Sequence, residues 1–181
     1  DYCQASCDKY THAEIYPVCG RRINPEWAAF KLKKMKEERP DLYKEARYLL
    51  SMKDFINMKL TGIGAVDHTS AGYTMLYDLK GAEWSDDLIA KAGVDREKLP
   101  PLKRPWEILG EVKNDYLLEF GFSDSIPVVT GSVDGSTAIL GAGGTGKNMA
   151  VNVMGTTEVF FMVTDHWKTD RTAGLIVNPH V

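Results

Sequence analysis

Apolar residues alternate with charged ones at helical spacing through much of the first 120 residues, and beyond residue 126 they gather into short β-branched runs. The change divides the chain into a helix-rich part and a strand-rich part. Asn24, Pro25 and Glu26 carry a helix-start pattern, with asparagine as the cap and proline in the first turn. Trp27, Phe30, Leu32 and Met35 follow, set against Lys33, Lys34 and Lys36, and Pro40 stops the helix. A second helix runs from Asp41 to about Arg47. Ser51 and Asp54 form a capping pair before Phe55, Ile56, Met58 and Leu60, and Gly62 closes that helix. Trp84, Ser85, Asp86 and Asp87 open another, closed by Gly93.

Residues 108–112 read as a strand and 114–120 as a helix. Residues 126–130 form a nearly unbroken apolar run, the pattern of a strand buried on both faces. Residues 150–154 and 159–163 form two strands joined by Gly155, Thr156, Thr157 and Glu158, a hairpin pattern. A third strand is expected over residues 173–177. The chain ends just after it, before any helix that would cover such strands, so this last part is expected to be incomplete.

Composition narrows the class. Of 181 residues, 44% are hydrophobic and 26% charged, the usage of an ordered globular chain. The net charge of −3 gives no global attraction to nucleic acid or to an anionic membrane. No apolar run reaches the ~18 residues of a membrane helix. Residues 21–50 hold nine Lys/Arg against five Asp/Glu, which reads as a solvated basic helix face. Cys3, Cys7 and Cys19 make an odd count without paired metal-binding knuckles, so reduced thiols and a cytoplasmic location are expected.

Two glycine motifs compete with a simpler reading. Residues 141–146 satisfy the spacing of a dinucleotide-binding loop, and Lys147 extends it toward a P-loop. Both require a helix after Gly146, whereas residues 148–154 read as strand, and Asn148 stands where a P-loop needs a hydroxyl. A glycine-rich turn between strands is the simpler alternative. Asp134, in Thr130-Gly131-Ser132-Val133-Asp134-Gly135, stands directly after a strand, where α/β sheets gather ligands. Its carboxylate could take a proton from a substrate hydroxyl. The alternative is an Asp-Gly turn with a solvated side chain. Hydroxyls and N–H groups at Gly155, Thr156 and Thr157 suit phosphate oxygens, although hairpin turns use such residues anyway. His12, His68, His166 and His180 show no paired spacing, and His68 beside Asp67 reads as a turn or helix-cap neighbour.

Read in order, several segments resemble the FGGY family of carbohydrate kinases: residues 24–32, 38–43, 49–56 with 60–62, 67–78, 84–87, 99–101, 109–112, 126–135 and 153–157. The likeness runs in register over about residues 20–160. In detail the segments look like those of xylulokinases, and Ser132 to Gly135 is also similar to gluconokinases.

The resemblance implies an α/β, ribonuclease H-like (actin/hexokinase-type) architecture, incomplete in this chain. Residues 1–141 would be the later part of the sugar-binding N-terminal domain. Residues 142–181 would be the first strands of the ATP-binding domain. It implies ATP-dependent phosphorylation of a sugar or polyol hydroxyl, with ATP and Mg²⁺ as cofactors and Asp134 as catalytic base at the mouth of an interdomain crevice. Gly155, Thr156 and Thr157 would contact nucleotide phosphates, while Gly135, Glu26 and Trp27, with Asp134, would meet the sugar. Glu26 departs from the tyrosine of glycerol kinases, and Gly135 from their amide residue. Charge and the unpaired cysteines and histidines give no nucleic-acid or membrane partner and no metal-ligating residue, and a homodimer is an open expectation. The fragment alone is expected to be inactive. The rival reading is a non-catalytic sugar- or nucleotide-binding module on the same fold.

Overall fold

The computed structural model describes residues 11–156, 158–167, 169 and 174–181. Helix α1 (His12–Cys19) contains Pro17 and is capped by Thr11, whose backbone N–H donates to Glu14 Oε2 at 2.6 Å. It ends at Gly20, which has φ 63°; a Cβ there would lie 2.7 Å from Leu79 Cδ1 and 2.8 Å from Val177 Cβ. Only glycine fits that crossing.

Helix α2 (Ala28–Glu38) starts later than its sequence pattern suggests. The cap is Trp27, because the Asn24 side chain accepts from Glu26 N (2.9 Å) and makes a separate turn ahead of the helix. Pro40 then opens α3 (Pro40–Glu45) at a position where its missing N–H has no cost. Helix α4 (Met52–Thr61) begins at Ser51 and ends at Gly62 in the left-handed region, as its capping residues indicate.

Strand β1 (Val66–Asp67) leads straight into α5 (His68–Gly72), with Asp67 as the cap. Next come β2 (Tyr77–Asp78), β3 (Glu83–Trp84), α6 (Asp86–Ala92), a 3₁₀ turn at Arg96–Lys98 and β4 (Leu102–Lys103). They are followed by β5 (Ile108–Glu111), α7 (Asn114–Phe120), β6 (Pro127–Val129), α8 (Asp134–Gly141), β7 (Ala150–Met154) and β8 (Glu158–Met162).

Among the described residues the strands pair two by two. β1–β4 is parallel, while β2–β3, β5–β6 and β7–β8 are antiparallel. The main core lies in the helical part, where Ile15, Phe30, Leu76, Tyr77, Leu88 and Leu99 interlock with Trp84. The Trp84 ring N–H donates to Pro100 O at 2.9 Å.

Ser85 caps α6 by accepting from Leu88 N (3.3 Å), and Gly93 closes that helix at φ 70°. Ser85→Ala should cost about 1 kcal/mol. Equilibrium urea unfolding should show this as a lower midpoint at unchanged m.

Two strand expectations need correction. Residues 126–130 do not form a strand buried on both faces. β6 is three residues long, Val129 is 52% exposed, and β5 is the strand that pairs with it. The run carries apolar residues for two faces, but this chain covers neither fully. The expected third strand starts at residue 173, outside the described residues. Residues 174–181 form no strand, though Val177 N donates to Gly20 O at 3.1 Å and ties that segment to the end of α1.

Beyond Gly146 the chain enters strand β7, not a helix, so neither the dinucleotide loop nor the P-loop can be built there. Gly144 instead permits close packing, because a Cβ on it would lie 2.5 Å from Ile139 Cγ2 and 2.9 Å from Ile139 O. No helix among the described residues is long and apolar enough to cross a membrane.

Candidate functional site

The loop between β6 and α8 is fixed at both ends by side chains distant in sequence. Thr130 is fully buried, and its N–H and hydroxyl both donate to Glu107 O, at 2.9 and 3.1 Å. Its carbonyl accepts from Lys53 Nζ (2.9 Å) and Asn57 Nδ2 (2.8 Å), both on α4. Gly131 N donates to Pro105 O at 2.8 Å. At the far end, the Thr69 hydroxyl on α5 bonds Ser132 Oγ (2.9 Å) and accepts from Val133 N (3.0 Å).

Beneath this loop lies a buried polar cluster. Asp54 and Asp67 are fully buried, and Lys53 Nζ reaches both carboxylates, at 2.6 and 3.0 Å. Ser51 Oγ donates to the other oxygen of Asp54 at 2.6 Å. Asp67 accepts Thr69 N (2.8 Å), Ser70 N (3.0 Å) and the Thr69 and Ser70 hydroxyls. Burial pushes its carboxyl pKa up. Hydrogen bonds from Ser70 and Thr69 and the Lys53 ammonium outweigh that and hold it below the ordinary carboxylate value. The sequence showed Asp67 only as the neighbour of His68, whereas it is the cap of α5 and the centre of this cluster. His68 opens the helix, with Nδ1 2.8 Å from the Tyr77 hydroxyl.

Asp134 is the first residue of α8. Its side chain is exposed, and Oδ1 accepts from Gly135 N at 2.7 Å. It stands beyond the end of β6 but faces solvent in this chain. Gly135 lies beside the hairpin, where an added Cβ would meet the Phe161 ring at 3.4 Å.

Glu26 is exposed, and Trp27 is half-buried, with its ring N–H donating to Arg22 O at 2.7 Å. Behind Trp27 lies Arg21, fully buried, its guanidinium 5.3 Å from the Trp27 centroid and 4.2 Å from that of Tyr73. Arg21 Nε donates to Gly72 O (2.9 Å) and Nη2 to the Asn178 side chain. Burial lowers its pKa to about 10, which leaves it charged at neutral pH.

Trp27 and the Asp134 loop are therefore keyed to the two ends of α5, the tryptophan through Arg21 and Gly72 and the loop through Thr69. Among the described residues, no hydrogen bond or ion pair joins Asp134 to Glu26, Trp27, Gly155 or Thr156.

The β7–β8 hairpin pairs Met154 with Glu158, and Gly155 and Thr156 follow β7 in the connection between them. Gly155 and Thr156 are exposed, and Thr157 lies outside the described residues, as do Cys3 and Cys7. Cys19 is a buried free thiol, pushed up to about 11 by burial. A cavity of about 390 Å³ lies elsewhere, lined by Arg47, Tyr48, Met52, Phe55 and Met58, with none of the sequence-predicted residues among its walls.

Comparison with known proteins identifies the class. The N-terminal domain of the FGGY family of carbohydrate kinases matches residues 2–141. The chain belongs to that family. An autoinducer-2 kinase of Enterobacter sp. (strain 638) is 30% identical over 169 residues, 93% of this chain and 32% of the relative. The xylulose kinase of Escherichia coli (strain K12) is 28% identical over 148 residues, 82% of this chain and 30% of the relative. The crystal structure of xylulose kinase from Rhodospirillum rubrum superposes with a TM-score of 0.90 at 22% identity, covering 99% of this chain and 36% of that one. The chain spans about a third of the length of the curated relatives it matches. Its architecture is the α/β, ribonuclease H-like one, present in part.

Proposed function

We propose that a protein carrying this segment transfers a phosphoryl group from ATP to a hydroxyl of a sugar or polyol, in the cytoplasm. Asp134 is the base. The observation that carries this reading is the position of its exposed carboxylate, on the first turn of α8 beyond β6, at the end of a loop fastened at Thr130 and Val133. An open carboxylate on a fixed loop can meet an incoming alcohol, accept its proton and leave the oxygen free to attack.

Gly155, Thr156 and Thr157 would hold nucleotide phosphates. The exposed Gly155 and Thr156 fit that role, because Gly155 adds no side chain over the backbone. Mg²⁺, when bound with the nucleotide, supplies neutralisation of charge on the transferring group. Trp27, backed by Arg21, and Glu26 beside it offer an aromatic face and a carboxylate to sugar carbon and hydroxyl groups, with Gly135 lining the approach to Asp134. Residues 1–141 would belong to the sugar-binding domain and residues 142–181 to the start of the nucleotide-binding one. The relatives named as xylulose and autoinducer-2 kinases favour a small carbohydrate acceptor over a macromolecule.

The test is a phosphorus NMR assay of ATP with a panel of pentuloses, hexonates and polyols. A full-length kinase carrying this segment should phosphorylate at least one of them, and the isolated chain none. A full-length protein that phosphorylates none would sink the proposal.

A further inference from the structure

Lys53 and Asn57 stand one turn apart on α4, at the spacing that makes helical residues neighbours. Both donate to one carbonyl oxygen, that of Thr130, 77 and 73 positions further along the chain. One donor would satisfy a buried carbonyl. The second here is an ammonium that also holds the buried carboxylates of Asp54 and Asp67. Taking such charges out of water is costly, and apolar packing of similar volume often gives equal or better stability. What the charged cluster provides in addition is a fixed location for Thr130. Asp67 extends it through Thr69 to Ser132 and Val133. Both ends of the 130–133 loop are thus bound to one charge-assisted network, and Asp134 is the next residue.

We propose that Lys53, assisted by Asn57, is a positioning residue for the Asp134 carboxylate, acting through the Thr130 carbonyl. This rests on the reading of Asp134 as the base. Lys53 makes no contact with substrate in this role. It sets where α8 begins, and a misplacement of about 1 Å in a reacting group can cost ~10²-fold in rate.

In a full-length kinase carrying this segment, Lys53→Met should lower kcat by about 10²-fold while KM for the sugar changes less than about twofold. Combined with Asp134→Asn, it should add no further loss, since both act on the same proton transfer. A multiplicative loss in the double variant would overturn the proposal. Lys53→Met also strips the cation from two buried carboxylates and can unfold the protein. Asn57→Ala changes no charge and reads the same clamp, with an expected loss in kcat of roughly fivefold.

Amide hydrogen exchange supplies a readout independent of turnover. The N–H groups of Val133 and Thr137, bonded to Thr69 Oγ1 and Val133 O, should exchange about tenfold faster in Asn57→Ala, with α6 unchanged. Uniform acceleration, or none, would overturn the clamp. Local acceleration in a protein whose Asp134→Asn variant keeps full activity would instead remove the base assignment, and with it this role for Lys53, while the clamp itself stands.

Discussion

Asp134→Asn in a full-length kinase carrying this segment should lower kcat by ~10²–10⁴-fold, the range general-base catalysis contributes, with sugar affinity nearly unchanged. The substitution is isosteric. The amide oxygen can still accept from Gly135 N, the contact Oδ1 makes at 2.7 Å, so the first turn of α8 keeps its shape. The side chain is exposed and joins no ion pair among the described residues, so little stability depends on it. What the amide cannot do is take a proton. A loss confined to kcat marks an interaction made in the transition state, while a rise in KM would mark lost ground-state binding. Steady-state kinetics together with a thermal unfolding curve separate these outcomes. A variant with kcat within a few-fold of the parent would show that Asp134 is not the base, and the non-catalytic reading of the fold would then gain ground.

Much of the helical part was legible because its signals are local. Ser51 and Ser85 cap the helices they were expected to cap, and Gly62 and Gly93 end them in the left-handed region. The start at Asn24 was misplaced by a few residues, because an asparagine that caps a helix and one that makes its own turn look alike in sequence. Helix α1 was not anticipated, with Pro17 inside it.

In the strand-rich part the hairpin is legible because both strands lie within thirteen residues, whereas the burial of β6 depends on what else packs beside it and is not. Asp134 was located beyond a strand by sequence, but not as the opening residue of α8. The polar cluster was invisible. Asp54 reads as a capping partner of Ser51 and Asp67 as a turn or cap neighbour of His68, and only the tertiary fold brings Lys53 to Thr130 and Thr69 to Val133. The one available signal was the set of hydroxyls after Asp67, the pattern of a carboxylate that bonds its own following backbone.

Asp67→Ala should be strongly destabilising, by about 3–5 kcal/mol. The carboxylate is fully buried and caps α5 through Thr69 N and Ser70 N. Its removal leaves those amides and the Lys53 ammonium without the partner they had. Asp67→Asn should cost less, since an amide oxygen can still accept the capping N–H groups. The pH dependence follows from the same contacts. The folded pKa lies below the unfolded one, which is about 3.9 for aspartate. The contribution of Asp67 is therefore complete above about pH 4 and is lost as pH falls through the lower, folded value. Glu14 and Asp165 are also held low, by hydrogen bonds from Thr11 and Lys147 respectively, but they lie on the surface, where solvent screens such pairs. Both remain in the variant, so the difference between parent and Asp67→Ala isolates the buried group. Urea unfolding of the chain from pH 7 downward should give a constant difference to about pH 4 and a shrinking one below. A difference that stays flat to pH 2 would mean that the Asp67 carboxyl titrates no differently in the folded and unfolded chain.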